Sequence, residues 1–269
     1  MKTLSKVYMG LVLMFLYVPI FVLIVFSFNE TKSRSVFSGF TLDWYAKLFR
    51  NEVIISSLIN TLIIAVIASI AATVLGTLAA IGINSMRKVP KAVVMNITNM
   101  PIVNPEIVTG VSLMLLFVFF AARMNLEFGF VTLLIAHITF DVPYVILNVM
   151  PKFRQMDPNL FEAAQDLGCS PFTALRKVIL PEIMPGVVSG FLMSFTFSLD
   201  DFVISYFTSG STSQTLPITI YSMTRRKISP EINALSTIIF VVVVIVLVVK
   251  HIIETRQDRI NRANGGDEG

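Results

Sequence analysis

From Val53 to Met86 the chain runs for 34 residues without a charged side chain. About 20 apolar residues suffice to cross the hydrocarbon core of a bilayer. In lipid, every backbone N–H and C=O must be satisfied internally, so such a stretch has to be helical. Similar windows follow the same logic. Val7–Asn29 is free of charge, and so is Ile232–Val249. Ala92–Ala122 carries only Glu106, Phe128–Met150 only Asp141, and Ile183–Phe207 only Asp200 and Asp201. The pattern predicts an all-α polytopic membrane protein, a single transmembrane domain over 1–269 with six helices. Their approximate bounds are 7–29, 56–84, 92–122, 128–150, 183–207 and 232–252, with a loop over 151–182.

Composition agrees and excludes other classes. Apolar residues make up 55% of the chain, charged residues 14%, and mean hydropathy is +0.77. Typical soluble domains are about 25% charged. The net charge of +4 comes from residues scattered over short loops, without the basic stripe of a nucleic-acid binder. The single cysteine, Cys169, permits no intrachain disulfide, and two histidines are too few for a His-rich metal site. The first segment is longer than a signal-peptide core and lacks a small-x-small cleavage site after Phe28, so it reads as an uncleaved helix. Of the 21 Lys and Arg, 13 fall in the N-terminus, 84–91, 151–182 and the tail 250–269. That bias predicts both termini in the cytoplasm. The polar tail Glu254–Gly269 is expected to be solvated. Trp44 and Tyr45 read as an interfacial anchor on a short outer helix. The outer loop Ser209–Glu231, with Arg225, Arg226 and Lys227, reads as either a docking surface or a plain solvated loop.

No phosphate loop, nucleophilic triad, metalloprotease motif or dinucleotide fingerprint occurs. The chain therefore reads as a non-enzyme with no cofactor of its own, and uphill transport would take its energy from a partner or an ion gradient.

The segment Leu160–Gly190 is the most specific part of the sequence. Asp157-Pro158-Asn159 predicts the start of a short helix, Ala163 and Ala164 allow another surface to approach closely, and Gly168 predicts a left-handed stop. A second helical piece is expected to end at Pro181. The pattern Glu162-Ala163-Ala164-x3-Gly168-x9-Val178-x-Leu180-Pro181 resembles the E-A-A loop of binding-protein-dependent ABC importer permeases. That resemblance implies the six-helix type I (MetI-like) permease fold. It also implies that Glu162, Ala163, Ala164, Gly168, Leu180 and Pro181 couple the membrane helices to an ATPase. Further stretches (Asn104–Val108, His137–Phe140, Ser198–Asp201, Ile220–Met223 and Ser229–Leu235) are similar to spermidine/putrescine permeases of the PotC type. The similarity implies import across a bacterial inner membrane. It implies as partners a second, PotB-like permease that shares the pore, a PotA-like ATPase dimer carrying ATP and Mg, and an extracellular PotD-like polyamine-binding protein or lipoprotein.

The intramembrane acids bear on cargo independently. An ionised carboxylate at mid-bilayer costs at least about 2.5–3.5 kcal/mol. The windows holding Glu106, Asp141, Asp200 and Asp201 contain no Lys or Arg. These acids must face a wet cavity, a partner or a cationic ligand. Asp141 shares a helix face with His137, Tyr144 and Asn148, and Tyr144 offers a cation–π wall. Asp201 shares a helix face with Ser194, Ser198 and Ser205, and this serine stripe favours it over Asp200 for the pore. Adjacent residues point about 100° apart, so one of the two aspartates is left for gating or packing. Glu106 is either a cap on the helix restarting behind Pro105 or a pore carboxylate. Asp141 is either a substrate contact or glue for His137 and the backbone freed by Pro143. His137 by itself reads as a hydrogen-bonded interior residue. The alternatives to a polyamine permease are the same fold carrying another cationic or small organic solute, and an ATPase-independent secondary transporter.

Overall fold

A computed structural model describes residues 2–31, 36–124, 127–226, 230–241 and 244–245. Among them there is no β-strand, only an isolated antiparallel bridge between Asn29 and Phe40. Among the described residues five helices are long and apolar enough to cross a membrane, with spans at Lys6–Ser27, Glu52–Asn84, Glu106–Arg123, Phe130–Gln155 and Pro171–Asp200. The first belongs to α1 (Lys2–Ser27) and the next three to α3 (Glu52–Asn84), α5 (Glu106–Met124) and α6 (Phe130–Gln155). The last joins α8 (Pro171–Ala174), a π-helical turn at Leu175–Ile179, and α9 (Leu180–Asp200). The sixth expected span, 232–252, is described only as an apolar helix, Pro230–Val241, and residues 244–245. Its remainder and the tail lie outside the described residues.

The chain divides into two compact units, Met1–Glu52 with Ile220–Gly269, and Val53–Thr219. In the first unit, α2 (Asp43–Arg50) forms as the short helix expected. Trp44, however, is no lipid anchor. It is 6% exposed, and its indole N–H donates to the Asn29 carbonyl at 2.7 Å. A buried Trp keeps its donor satisfied, and here that closes the chain onto the end of α1. The hydroxyls of Tyr45 and Ser27 lie 2.7 Å apart.

The second unit is built on α6 packed along α9. Val145 sits where α3 and α9 approach α6. A Cβ on Gly76 would lie 2.7 Å from Val145 Cβ, and one on Gly190 would lie 3.2 Å from Val145 Cα. Lipid supplies no hydrophobic drive between helices, so close backbone approach through small residues has to supply the contact energy. Ala72, Ala80, Ile146, Val149, Met150 and Ile183 fill the adjoining core.

The window 92–122 divides into α4 (Lys88–Val103) and α5 at the restart expected behind Pro105, which forces Asn104 into an extended conformation (φ −72°, ψ 143°). Two other helix boundaries depart from the sequence reading. The window 183–207 is not continuous. α9 stops at Asp200, Asp201 is extended (φ −60°, ψ 124°), and α10 (Val203–Thr208) restarts the chain. Pro181, finally, does not stop a helix, since the helical path runs from Pro171 through it to Asp200. A proline ring clashes with the carbonyl four residues earlier, and Lys177 lies in the π-helical turn, whose wider winding accommodates the missing bond. The outer loop expected over Ser209–Glu231 is not open over residues 209–226, and Lys227 lies outside the described residues. The segment contains α11 (Leu216–Arg226), whose first residues are buried. There the Leu216 N–H donates to Thr61 Oγ1 at 2.7 Å, and the Thr219 and Ser57 hydroxyls lie 2.7 Å apart.

Candidate substrate path and coupling loop

The break at Asp201 is held by that residue's own side chain. Its carboxylate accepts the backbone N–H groups of Ile204 (3.2 Å) and Ser205 (2.7 Å), capping the start of α10. Asp201 is 8% exposed, and its Oδ2 lies 3.6 Å from His137 Nε2. Asp200 is exposed at the C-terminal end of α9. The serine stripe that favoured Asp201 for the pore assumed an unbroken helix. The break turns Asp201 to capping and leaves Asp200 as the exposed carboxylate of the two. Asp201→Ala is expected to remove the cap and lower stability by about 1–2 kcal/mol, with Asp201→Asn much milder because one acceptor oxygen remains. Thermal unfolding of the two variants in detergent measures the difference.

The five acidic and aromatic residues singled out from sequence lie within electrostatic reach of one another in series. Glu106 is exposed in the first turn of α5, and both it and Asp141 lie within electrostatic reach of Tyr144. Asp141 and Asp200 are each within reach of Asp201. Tyr144 is half-buried and packs on Phe197 (ring centroids 4.5 Å) and Phe140 (5.2 Å), giving an aromatic wall beside the acids. Asp141 is fully buried on α6, and neither of its oxygens has a hydrogen-bond partner among the described residues. It bonds neither His137 nor freed backbone. The Ser194 hydroxyl on α9 faces it and acts on it, outside direct hydrogen-bond geometry.

The loop over 151–182 is helical rather than extended. Asp157 Oδ1 accepts the Asn159 N–H (2.9 Å), and α7 (Leu160–Asp166) follows. Gly168 takes φ +87°, a conformation that suits glycine, and the Cys169 N–H returns to the Ala164 carbonyl at 3.1 Å. Ser170 then caps α8, with Pro171 in its first turn. The two alanines separate: Ala163 is exposed, whereas Ala164 is buried. Glu162, Gly168 and Pro181 are exposed, and Leu180 packs partly into the core. Leu167 and Phe172 stand 87% and 72% exposed on the same knob. Sequence reading passed over both, though large apolar residues flanking a glycine stop in a polar loop are a legible signal.

The model of a family described as "Binding-protein-dependent transport system inner membrane component" matches residues 72–263. The chain belongs to that family. Among relatives of this family member is a spermidine/putrescine transport system permease protein, PotC, of Shigella flexneri, 38% identical over 97% of this chain and 96% of its own. The putrescine transport system permease protein PotI of Escherichia coli K12 is 39% identical over 84% and 81%. The fold also matches a crystal structure of a bacterial ABC transporter involved in the import of alginate. That match has a TM-score of 0.69 at 14% identity and covers 94% of this chain and 95% of the other. As a family member the chain is a multi-pass permease, and the loop, the α6–α9 pair and the break at Asp201 all fall within the matched residues.

Proposed function

We propose that this chain is the permease subunit of an ATP-driven polyamine importer for spermidine or putrescine, and that it forms half of the translocation pore. The observation that carries the reading is the carboxylate at the interrupted helix. Asp200 stands exposed at the C-terminal end of α9, with no Lys or Arg in the surrounding segment. A helix ending within a membrane turns its negative dipole end toward that point, and half-helix ends of this kind favour cations. Asp201 neutralises the opposite, positive end by capping α10. The net field at the break is therefore negative. Tyr144 and Phe197 supply apolar and cation–π surface for methylenes and ammonium groups. The names of the relatives support the same cargo.

In this reading a second, PotB-like permease completes the pore, and both termini of this chain are cytoplasmic. A PotA-like ATPase dimer holds ATP and Mg and receives the knob of Glu162, Ala163, Leu167, Gly168 and Phe172. The continuous helical path from Pro171 to Asp200 then carries its movement from the knob to the cation site. An extracellular PotD-like protein delivers the polyamine. Glu106, Asp141, Tyr144 and Asp200 line successive parts of the path, with Asp141 sealed in this conformation.

The test is uptake by the four-component complex in liposomes. Radiolabelled spermidine is expected to accumulate only with loaded binding protein and ATP. Accumulation by this permease pair without the ATPase would overturn the ATP-driven reading. Stimulation of ATP hydrolysis by a different loaded binding protein, and not by either polyamine, would overturn the cargo.

A further inference from the structure

The bend at Asp201 is also held from a second helix. His137 on α6 is 1% exposed. Its Nδ1 meets Ser198 Oγ, in the last turn of α9. Its Nε2 lies 3.0 Å from Ser205 Oγ in α10 and 3.6 Å from Asp201 Oδ2 at the break. One rigid ring thus touches the helix before the bend, the bend itself and the helix after it. With the proton on Nε2 the ring donates toward α10 and accepts from the Ser198 hydroxyl.

These contacts are not needed merely to satisfy the two serines. Hydroxyls in helices commonly bond the carbonyl four residues back, as Thr139 and Thr196 do here at 2.7 Å each. Nor does the α6–α9 contact need the histidine, because Val145 against Gly190 already brings the two backbones together. An ionisable ring inside a membrane segment is costly and calls for a functional reason. Between the clasped Ser198 and Asp201 lie Leu199 and Asp200, so the clasp fixes the backbone on either side of Asp200.

We infer that His137 is a positioning residue, clasping Ser198 to Ser205 and Asp201 so that the bend between α9 and α10 keeps Asp200 and the α9 carbonyl end aimed at the cation route. The inference rests on the polyamine reading for the cargo, but the clasp itself concerns geometry and is measurable without cargo.

The experiment uses the full complex in liposomes. His137→Ala is expected to raise the KM for spermidine about tenfold, with a smaller change in maximal rate. His137→Gln reaches α10 with an amide donor and is expected to lie closer to the unsubstituted protein. His137→Asn reaches only Ser198 and is expected to resemble alanine. An unchanged KM in the alanine variant, or glutamine and asparagine variants that behave alike, overturns the clasp. A loss seen solely in the amount of assembled complex also overturns it, since that is ordinary packing. A second readout is independent of cargo. In a Cys169→Ser background, a thiol introduced by Asp200→Cys is labelled with a cationic thiosulfonate, with and without His137→Ala. A severalfold change in labelling rate supports the clasp, and identical rates overturn it. If the unsubstituted complex carries neither polyamine yet the labelling rate changes, the cargo reading fails and the clasp stands.

Discussion

Asp200→Asn is expected to lower polyamine uptake at sub-saturating concentration about thirtyfold or more while the complex still assembles. The side chain keeps its size and loses its charge. An ammonium ion leaving water for a membrane-embedded route then finds a dipole where it had a full counter-charge. Removing one member of a desolvated charge pair costs about 2–5 kcal/mol, which spans roughly thirtyfold to several-thousandfold. Asp200 is exposed, its carboxylate is met by its own backbone N–H, and asparagine keeps one acceptor oxygen for that group. That separates it from Asp201, whose oxygens hold the Ile204 and Ser205 N–H groups. Initial uptake rates at several spermidine concentrations, normalised to complex recovered from the membrane, give the comparison. Uptake within tenfold of the unsubstituted protein would remove Asp200 from the path.

Gly186→Val is expected to prevent accumulation of folded permease. A single added Cβ at this position would lie 2.7 Å from Lys152 Cγ, 2.8 Å from the Asn148 carbonyl oxygen and 3.2 Å from Val149 Cα. The lysine chain can move aside, but the α6 backbone cannot. Two branched methyl groups would then push α9 away from α6 along the main seam of the larger unit. Overpacking a tight core costs about 1–3 kcal/mol, and a backbone-to-backbone clash stands at or above the top of that range. In lipid the separated faces gain little, because the association rests on close contact rather than on exclusion of water. Fluorescence-detected size exclusion of the detergent-solubilised variant reads the effect. A monodisperse peak of normal height and melting temperature would contradict the seam as described. Gly82, where an added Cβ meets nothing within 4 Å, is the matched control.

The chain's sorting into membrane helices was legible residue by residue. Charge-free windows leave no other way to satisfy the backbone in lipid, and α1, α3, α5, α6 and α9 follow from them. The knob at Glu162–Gly168 was legible as well, because a glycine stop and an acidic start are local chemistry. Proline positions were legible only in part. Pro105 breaks its helix, whereas Pro19, Pro143 and Pro185 lie inside theirs and Pro181 is passed through a π-helical turn. Whether a proline breaks a helix depends on what neighbouring elements offer the freed carbonyl, and periodicity carries no record of that.

The site divides in the same way. Sequence alone determined that four carboxylates lie in apolar segments without a Lys or Arg beside them, and that His137 and the serines occupy regular helical stripes. Only the tertiary structure decided that the two stripes face each other, that Asp201 is consumed as a cap, and that Asp200 is the carboxylate left open. Helical spacing records which side chains share a face of one helix. It carries no information on where a helix is interrupted or which other helix lies opposite, since those depend on contacts between residues some 60 positions apart, such as His137 and Ser198.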